Sequence, residues 1–268
     1  MKFLQIPDGL KTKALEIADE LGDVVISCES CYGSCDIRED EAKLLGCDEI
    51  VHYGHSKMID SDIKVEYVEK RESYDPTEAL GKLNIKFNKI GLISAVQFLD
   101  SLDIAKKVLG NRAILGGQVL GCDVSNAEKI VDKVDCFLFI GSGKFHAIGV
   151  ALKTGKPVFI LNVEHNRIEE VDVRLFEKQR IAAQVISRDA KVWGILVSTK
   201  LGQMNIKLAK QVRDKLKPKK SYILSMDEIR PEKLEGIKVD AYVNTACPRI
   251  AIENRTDFGK PILNPDEI

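Results

Sequence analysis

Three times in this chain an aspartate opens a short run of apolar and β-branched residues: Asp48-Glu-Ile-Val-His-Tyr-Gly54, Asp135-Cys-Phe-Leu-Phe-Ile-Gly141 and Asp240-Ala-Tyr-Val-Asn-Thr-Ala246. Continuous apolar runs of this length, bounded by polar or turn residues, read as strands buried on both faces. A Cys-Asp-aliphatic triplet precedes the first two runs, in Gly33-Ser34-Cys35-Asp36-Ile37 and Gly121-Cys122-Asp123-Val124. Cys35 stands as far before Asp48 as Cys122 before Asp135, and each triplet is expected to open a helix. The third run leads directly into Cys247-Pro248-Arg249. The pattern predicts one unit used three times, each copy delivering a cysteine to a shared place.

The rest of the chain fits that frame. Ala14, Ile17, Ala18 and Leu21 have helical spacing within residues 10–21, and Gly22 ends the helix. Strands are expected at 23–27, 49–53 and 65–68, with a helix over 39–45. The polar stretch 69–78, with Asp75-Pro76, reads as a linker. A second round follows: strand 89–94, helix 98–109 stopped by Gly110, strand 112–115, a glycine-rich loop 116–122, helix 126–133, strand 136–140, and 157–161 as the closing strand. A helix over 169–188 bridges to a third round, with strand 193–198, loop 199–203, helix 204–216, strands at 222–224 and 241–243, and a turn-rich tail. The expected class is α/β, with strands alternating with helices in parallel sheets flanked by helices. It is divided into three similar lobes, 1–75 with Cys35, 76–168 with Cys122 and 169–268 with Cys247. In such sheets ligands sit beyond the carboxyl ends of the strands, where loops from three lobes can meet.

Composition narrows the function classes. An apolar fraction of 44% suits a globular core, and a net charge of −1 gives no field for direct nucleic-acid or membrane binding. No apolar run is long enough to span a bilayer, and the N-terminus lacks the apolar stretch of a secretory signal, so a cytoplasmic location is expected. Seven cysteines in a reducing compartment point to metal, catalysis or burial rather than disulfides.

Cys28-x2-Cys31-x3-Cys35 lacks the fourth ligand and paired partner motif of a structural zinc site, so Cys28 and Cys31 read as buried or incidental. Cys47 and Cys136 flank the repeated aspartates and read as core. Cys35, Cys122 and Cys247 remain; three unrelated buried cysteines are the plainer reading of their spacing, which the matched Cys-Asp repeat weakens. Three thiolates can hold three irons of a four-iron cluster and leave the fourth open. Gly116-Gly117 and Gly141-Ser-Gly143 permit close approach of an anion to backbone amides. His55 and His146 follow equivalent strands and are candidates for ligand contact or a loop hydrogen bond, while His52 and His165 carry no such context. The basic run 215–220 reads as a solvated turn.

Tyr32-Gly-Ser-Cys-Asp36, Gly116-Gly-Gln-Val-Leu-Gly-Cys-Asp123, Phe139-Ile-Gly-Ser-Gly-Lys-Phe-His146 and Ala246-Cys-Pro-Arg249 resemble the diphthamide synthase family. So do Gly54-His-Ser56, Gly202-Gln203 and the tail 260–267. The resemblance covers nearly the whole chain. It implies three lobes in pseudo-threefold arrangement around a central site, and a 4Fe-4S cluster on Cys35, Cys122 and Cys247. It further implies S-adenosylmethionine (SAM) as substrate, cleaved at the sulfur–γ-carbon bond by an electron from the reduced cluster. The 3-amino-3-carboxypropyl group then adds to a histidine of translation elongation factor 2, and methylthioadenosine leaves. Archaeal members work as homodimers, fed by an electron donor that the sequence does not identify. The family's N-terminus is usually longer, so an initial strand is expected to be missing. Expected SAM contacts are Gly54, Ser56, Gln118, Gly141, Ser142, Gly143 and Gln203, with Arg249 adding charge or tuning the cluster; a surface ion pair is its plainer reading. Two other readings share this plan: a quinolinate synthase-like iron-sulfur enzyme, and a non-catalytic subunit that relays electrons.

Overall fold

A computed structural model describes residues 1–83 and 86–268. It begins with strand β1 (Lys2–Gln5), where the sequence reading assigned none; three of its four side chains are buried. A 3-10 turn (Asp8–Lys13) leads to α1 (Ala14–Leu21), shorter than the periodicity predicted, with Ala14 and Ile17 facing the core. Then come β2 (Val24–Ile26), α2 (Glu39–Leu44), β3 (Glu49–Tyr53) and β4 (Lys64–Val68). Cys35 therefore lies in a turn ahead of α2 and does not open the helix. The strands form a sheet of order β2-β1-β3-β4, all parallel.

The stretch expected to be linker ends in a short helix, α3 (Thr77–Gly81), whose Ala79 and Leu80 are buried. After it come β5 (Ile90–Ser94), α4 (Asp100–Leu109), β6 (Ala113–Gln118), α5 (Ser125–Glu128), β7 (Cys136–Gly141), α6 (Phe145–Thr154), β8 (Val158–Asn162) and β9 (Arg167–Glu170). Three expectations change here. Gly116 and Gly117 belong to β6 rather than to a loop. The register slips between Leu92 and Ile93, so that Leu92 faces Leu115 and Ile93 faces Gly117, which leaves Gly116 in a bulge. Residues 169–170 are strand, not helix, because β9 pairs antiparallel with β8 and closes the sheet in the order β6-β5-β7-β8-β9. The helix expected over 126–133 is only α5 followed by a 3-10 turn (Val131–Lys133).

The last stretch runs α7 (Arg174–Ser187), β10 (Val192–Ser198), α8 (Ile206–Lys215), β11 (Lys220–Met226), β12 (Ala241–Asn244), α9 (Arg249–Glu253) and β13 (Ile262–Leu263). Asn205 caps α8 by accepting from Leu208 N–H at 2.9 Å. The tail expected to be only turns supplies β13, and the sheet reads β11-β10-β12-β13, all parallel.

The three sheets thus share one strand order, second-first-third-fourth, and the repeated aspartates explain how. Asp135 Oδ2 accepts from the backbone N–H groups of Asn88 and Lys89 at 3.0 and 2.8 Å, at the start of β5. Asp240 Oδ2 accepts from Lys191 and Val192 at 2.8 and 2.9 Å, at the start of β10. Asp48 Oδ1 holds the chain's first ammonium at 3.2 Å, at the start of β1. Each aspartate satisfies the free donors where the neighbouring central strand begins. The repeat in the sequence is a sheet-registering device.

The chain forms two compact units, Met1–Glu69 with Lys178–Ile268, and Lys70–Glu177. The first and third sheets lie in one unit, and the second sheet in the other. Among the described residues no helix is long and apolar enough to cross a membrane.

Candidate metal and substrate site

Cys35 sits on a tight turn in the loop after β2, where Asp36 N–H donates to Gly33 O at 3.0 Å. The turn is clamped by the segment that follows β10. Gly202 N–H donates to the Cys35 carbonyl at 2.9 Å, and Gln203 Nε2 donates to Cys35 Sγ at 3.5 Å. A methyl group on Gly202 would fall 2.7 Å from the Cys35 Cα and carbonyl oxygen, so only glycine lets the two backbones meet. Beside them Lys200 Nζ pairs with Asp36 Oδ2 at 2.6 Å, with side chains 3% and 1% exposed. Lys200 also lies over the Tyr32 ring, 4.9 Å from its centroid, and Tyr32 Oη donates to Glu228 Oε1 at 2.6 Å. Burial pushes the Asp36 carboxyl above its ordinary value, and Lys200 draws it back down.

Cys247 lies three residues beyond β12, at the foot of α9. Asn244 Nδ2 donates to its carbonyl at 2.9 Å and holds the turn. Cys247, Tyr32, Lys200, Gln203, Glu228 and Arg249 line one cleft of about 450 Å³, within the range of small-molecule sites. Arg249 makes the surface ion pair of the plainer reading, with Glu253, and lines the cleft as well.

Both thiols are free. Burial raises the Cys35 thiol and the Gln203 hydrogen bond opposes it. Burial also raises the Cys247 thiol, opposed by a hydrogen bond from the Arg249 backbone, and the nearby Cys35 raises it further. Two half-buried sulfurs within electrostatic reach of each other favour the neutral state until a cation joins them. Soft thiolates receiving N–H donors are the donor set of an iron-sulfur cluster, so the residues present fit that group.

Cys122, in the other unit, is exposed at the end of a loop that rests on α6. His146 Nδ1 accepts from Gly121 N–H at 2.9 Å. A side chain on Gly121 would strike the Phe145 ring at 2.4 Å, and one on Gly149 would strike the Gly121 carbonyl at 2.5 Å. Of the two roles open to His146, the structure thus shows the loop hydrogen bond. Asp123 does not open α5 with its backbone; its carboxylate accepts from Ser125 N–H at 3.0 Å just ahead of that helix.

The other expected contacts are scattered. Gly54, at φ +94°, packs on Pro7 and Leu10, and its N–H donates to Val68 O at 2.7 Å. Ser56 is half-buried in the loop after it. Gln118 ends β6, and its carbonyl accepts from Asn126 at 2.8 Å. Gly141 ends β7 against the Phe139 ring, while Ser142 and Gly143 are exposed before α6, with Gly143 at φ +73°. Only Gln203 and Arg249 of this set line the cleft beside Cys247. Cys47 and Cys136 are core residues, as expected, while Cys28 is exposed. Lys200, Tyr32 and Glu228 were not anticipated, since a lysine after a buried strand carries no local signal of an ion pair 164 residues away.

Known proteins resemble the chain along its whole length. The 2-(3-amino-3-carboxypropyl)histidine synthase of Pyrococcus horikoshii is 33% identical over 289 residues, covering 99% of this chain and 84% of that protein. Subunit 1 of the human enzyme of that name is 29% identical over 292 residues, covering 98% of this chain and 66% of that protein. A crystal structure of Dph2 from Pyrococcus horikoshii with a 4Fe-4S cluster matches with a TM-score of 0.91 at 32% identity, covering 99% of this chain and 84% of that one. With a diphthamide synthesis protein family model matching residues 6–268 as well, the chain belongs to that family.

Proposed function

We propose that the chain is a 2-(3-amino-3-carboxypropyl)histidine synthase. It transfers the 3-amino-3-carboxypropyl group of SAM to a histidine of translation elongation factor 2 in the cytoplasm, the first step of diphthamide synthesis, and releases methylthioadenosine. Cys35, Cys122 and Cys247 are the residues to hold its 4Fe-4S cluster. The observation that carries this reading is the pairing of Cys35 and Cys247. They follow strands of different sheets, both are free, each receives an N–H donor, and Gln203, the donor to Cys35, lines the cleft together with Cys247.

When bound, the cluster supplies the electron that breaks the sulfur–γ-carbon bond of SAM. The chain's own residues bind and aim. Gln203 and the Arg249 backbone donate hydrogen bonds to the two sulfurs, which favours the reduced state of whatever they ligate. The cleft offers Arg249 to a carboxylate and Glu228 to an ammonium, the two charged groups of a methionine moiety. Fixing both ends of that moiety is an orientation effect, worth several kcal/mol when one bond must be aimed. The backbone amides of Gly141, Ser142 and Gly143, with Gln118, Gly54 and Ser56, are the further candidate contacts.

The test is anaerobic purification with iron and sulfide analysis, followed by reduction in the presence of SAM. Methylthioadenosine and modified elongation factor are expected from the unmutated chain, and loss of iron and of brown absorbance from Cys122→Ala. An electron-relay subunit gives no methylthioadenosine. Unchanged iron in Cys122→Ala sinks the ligand assignment. A homodimer is part of the proposal: α7 exposes Leu175, Ile181, Val185 and Ile186, an apolar surface suited to a second copy. Ile181→Asp with Val185→Asp is expected to give a monomer in light scattering.

A further inference from the structure

We propose that Cys31, His52 and His55 form a second metal site, for zinc, separate from the cysteines of the cleft. Each offers one ligand atom, and the three atoms lie within 4.8 Å of one another. They come from two connected places. Cys31 is in the loop that carries Cys35, His52 is on β3, and His55 is in the loop just beyond. Cys31 is 4% exposed and His52 fully buried.

The histidines are arranged as ligands are. His52 Nε2 stands 3.0 Å from His55 Nδ1. Two nitrogens at ordinary zinc bond lengths of about 2.0–2.1 Å in a tetrahedral site stand roughly 3.3 Å apart, so this pair needs almost no movement. The other ring nitrogen of His52, Nδ1, lies 3.3 Å from Gln5 Oε1. An amide oxygen can only accept, so Nδ1 carries the proton and Nε2 presents a lone pair toward His55 and Cys31. Gln5 is itself fixed. Its Nε2 donates to the Asp36 carbonyl, and its Oε1 accepts from Arg38 N–H at 3.4 Å. An oriented amide behind a buried imidazole is the outer partner that metal-ligating histidines require.

Three protein donors leave a fourth zinc position open to water. One thiolate with two imidazoles selects zinc over hard cations. On binding, the Cys31 thiol gives its proton to solvent and the zinc–sulfur bond forms. The ion then ties the end of β3 to the loop of Cys35, four residues from that thiol.

The experiment uses the untagged full chain, purified anaerobically, with zinc and iron measured together by mass spectrometry. One zinc per chain is expected. Cys31→Ser and His55→Ala are expected to lose it while keeping iron and the far-ultraviolet dichroism of the parent. Cobalt added to zinc-stripped protein should give a thiolate charge-transfer band and intense tetrahedral d–d absorption, both absent from Cys31→Ser. The cobalt spectrum of the unmutated chain decides the question even if a variant fails to fold. Zinc below a tenth of an equivalent with no cobalt spectrum overturns the proposal. So does iron loss from Cys31→Ser with its cobalt spectrum unchanged.

Discussion

Lys200 Nζ stands 2.6 Å from Asp36 Oδ2, and the pair joins the turn after β10 to the turn of Cys35 almost out of reach of water. A buried pair of this kind contributes little net stability, because both charges lose their hydration, but leaving either alone is costly. Lys200→Met is therefore expected to destabilise the unit by about 3–5 kcal/mol. Asp36→Leu with Lys200→Met should recover most of that loss. Urea unfolding of the three proteins checks it, and equal stabilities of single and double variants would refute it.

Gly202 meets the backbone of Cys35, not a movable side chain, so strain from an added methyl cannot be relieved by a rotamer change. Gly202→Ala should cost about 1–3 kcal/mol and sharply reduce iron content by displacing Cys35. Gly81→Ala, where the added carbon meets nothing within 4 Å, is the control and should change neither.

His146 holds the Cys122 loop through the Gly121 N–H. His146→Ala leaves that donor without its acceptor, at a cost of about 1–3 kcal/mol if water cannot replace the imidazole. Amide exchange at Gly121 should quicken many-fold, and the cluster should be lost sooner in air, while iron incorporated under strict anaerobiosis stays near the parent level.

Glu39 opens α2 and accepts from Ser61 Oγ at 2.5 Å and Asp62 N–H at 2.9 Å. The Ser61 hydrogen bond, partly offset by burial and reinforced by Asp62 and Lys43, holds its carboxyl below the ordinary glutamate value of 4.5. The folded state thus binds its proton less readily than the unfolded chain. The stability it contributes is full above pH 4.5 and is lost as pH falls through the folded value. Thermal melts between pH 3 and 6 should show a steeper acid loss for the parent than for Glu39→Gln. Parallel curves would remove Glu39 from the account.

Strand positions were legible because buried parallel strands are continuous apolar runs, and the repeated aspartates mark where three of them begin. The elements that escaped lack those signals. Helix α6 is apolar on most sides, with Ala147, Ile148, Gly149, Val150 and Ala151 all buried, so it shows no amphipathic stripe. Strand β1 has no turn residue before it, and β9 is polar at both ends, Arg167 and Glu170.

By itself the sequence determined the α/β class and the repeated strand order, and it singled out three cysteines as candidates, since these rest on local pattern and residue chemistry. It could not tell which distant groups meet. Gly202 on Cys35, Lys200 on Asp36, and Cys31 beside His52 and His55 are contacts between chain segments tens to hundreds of residues apart. Only the closure of the sheets and their loops decides them, because burial turns a lysine into an ion-pair partner and brings two imidazoles beside a buried thiol.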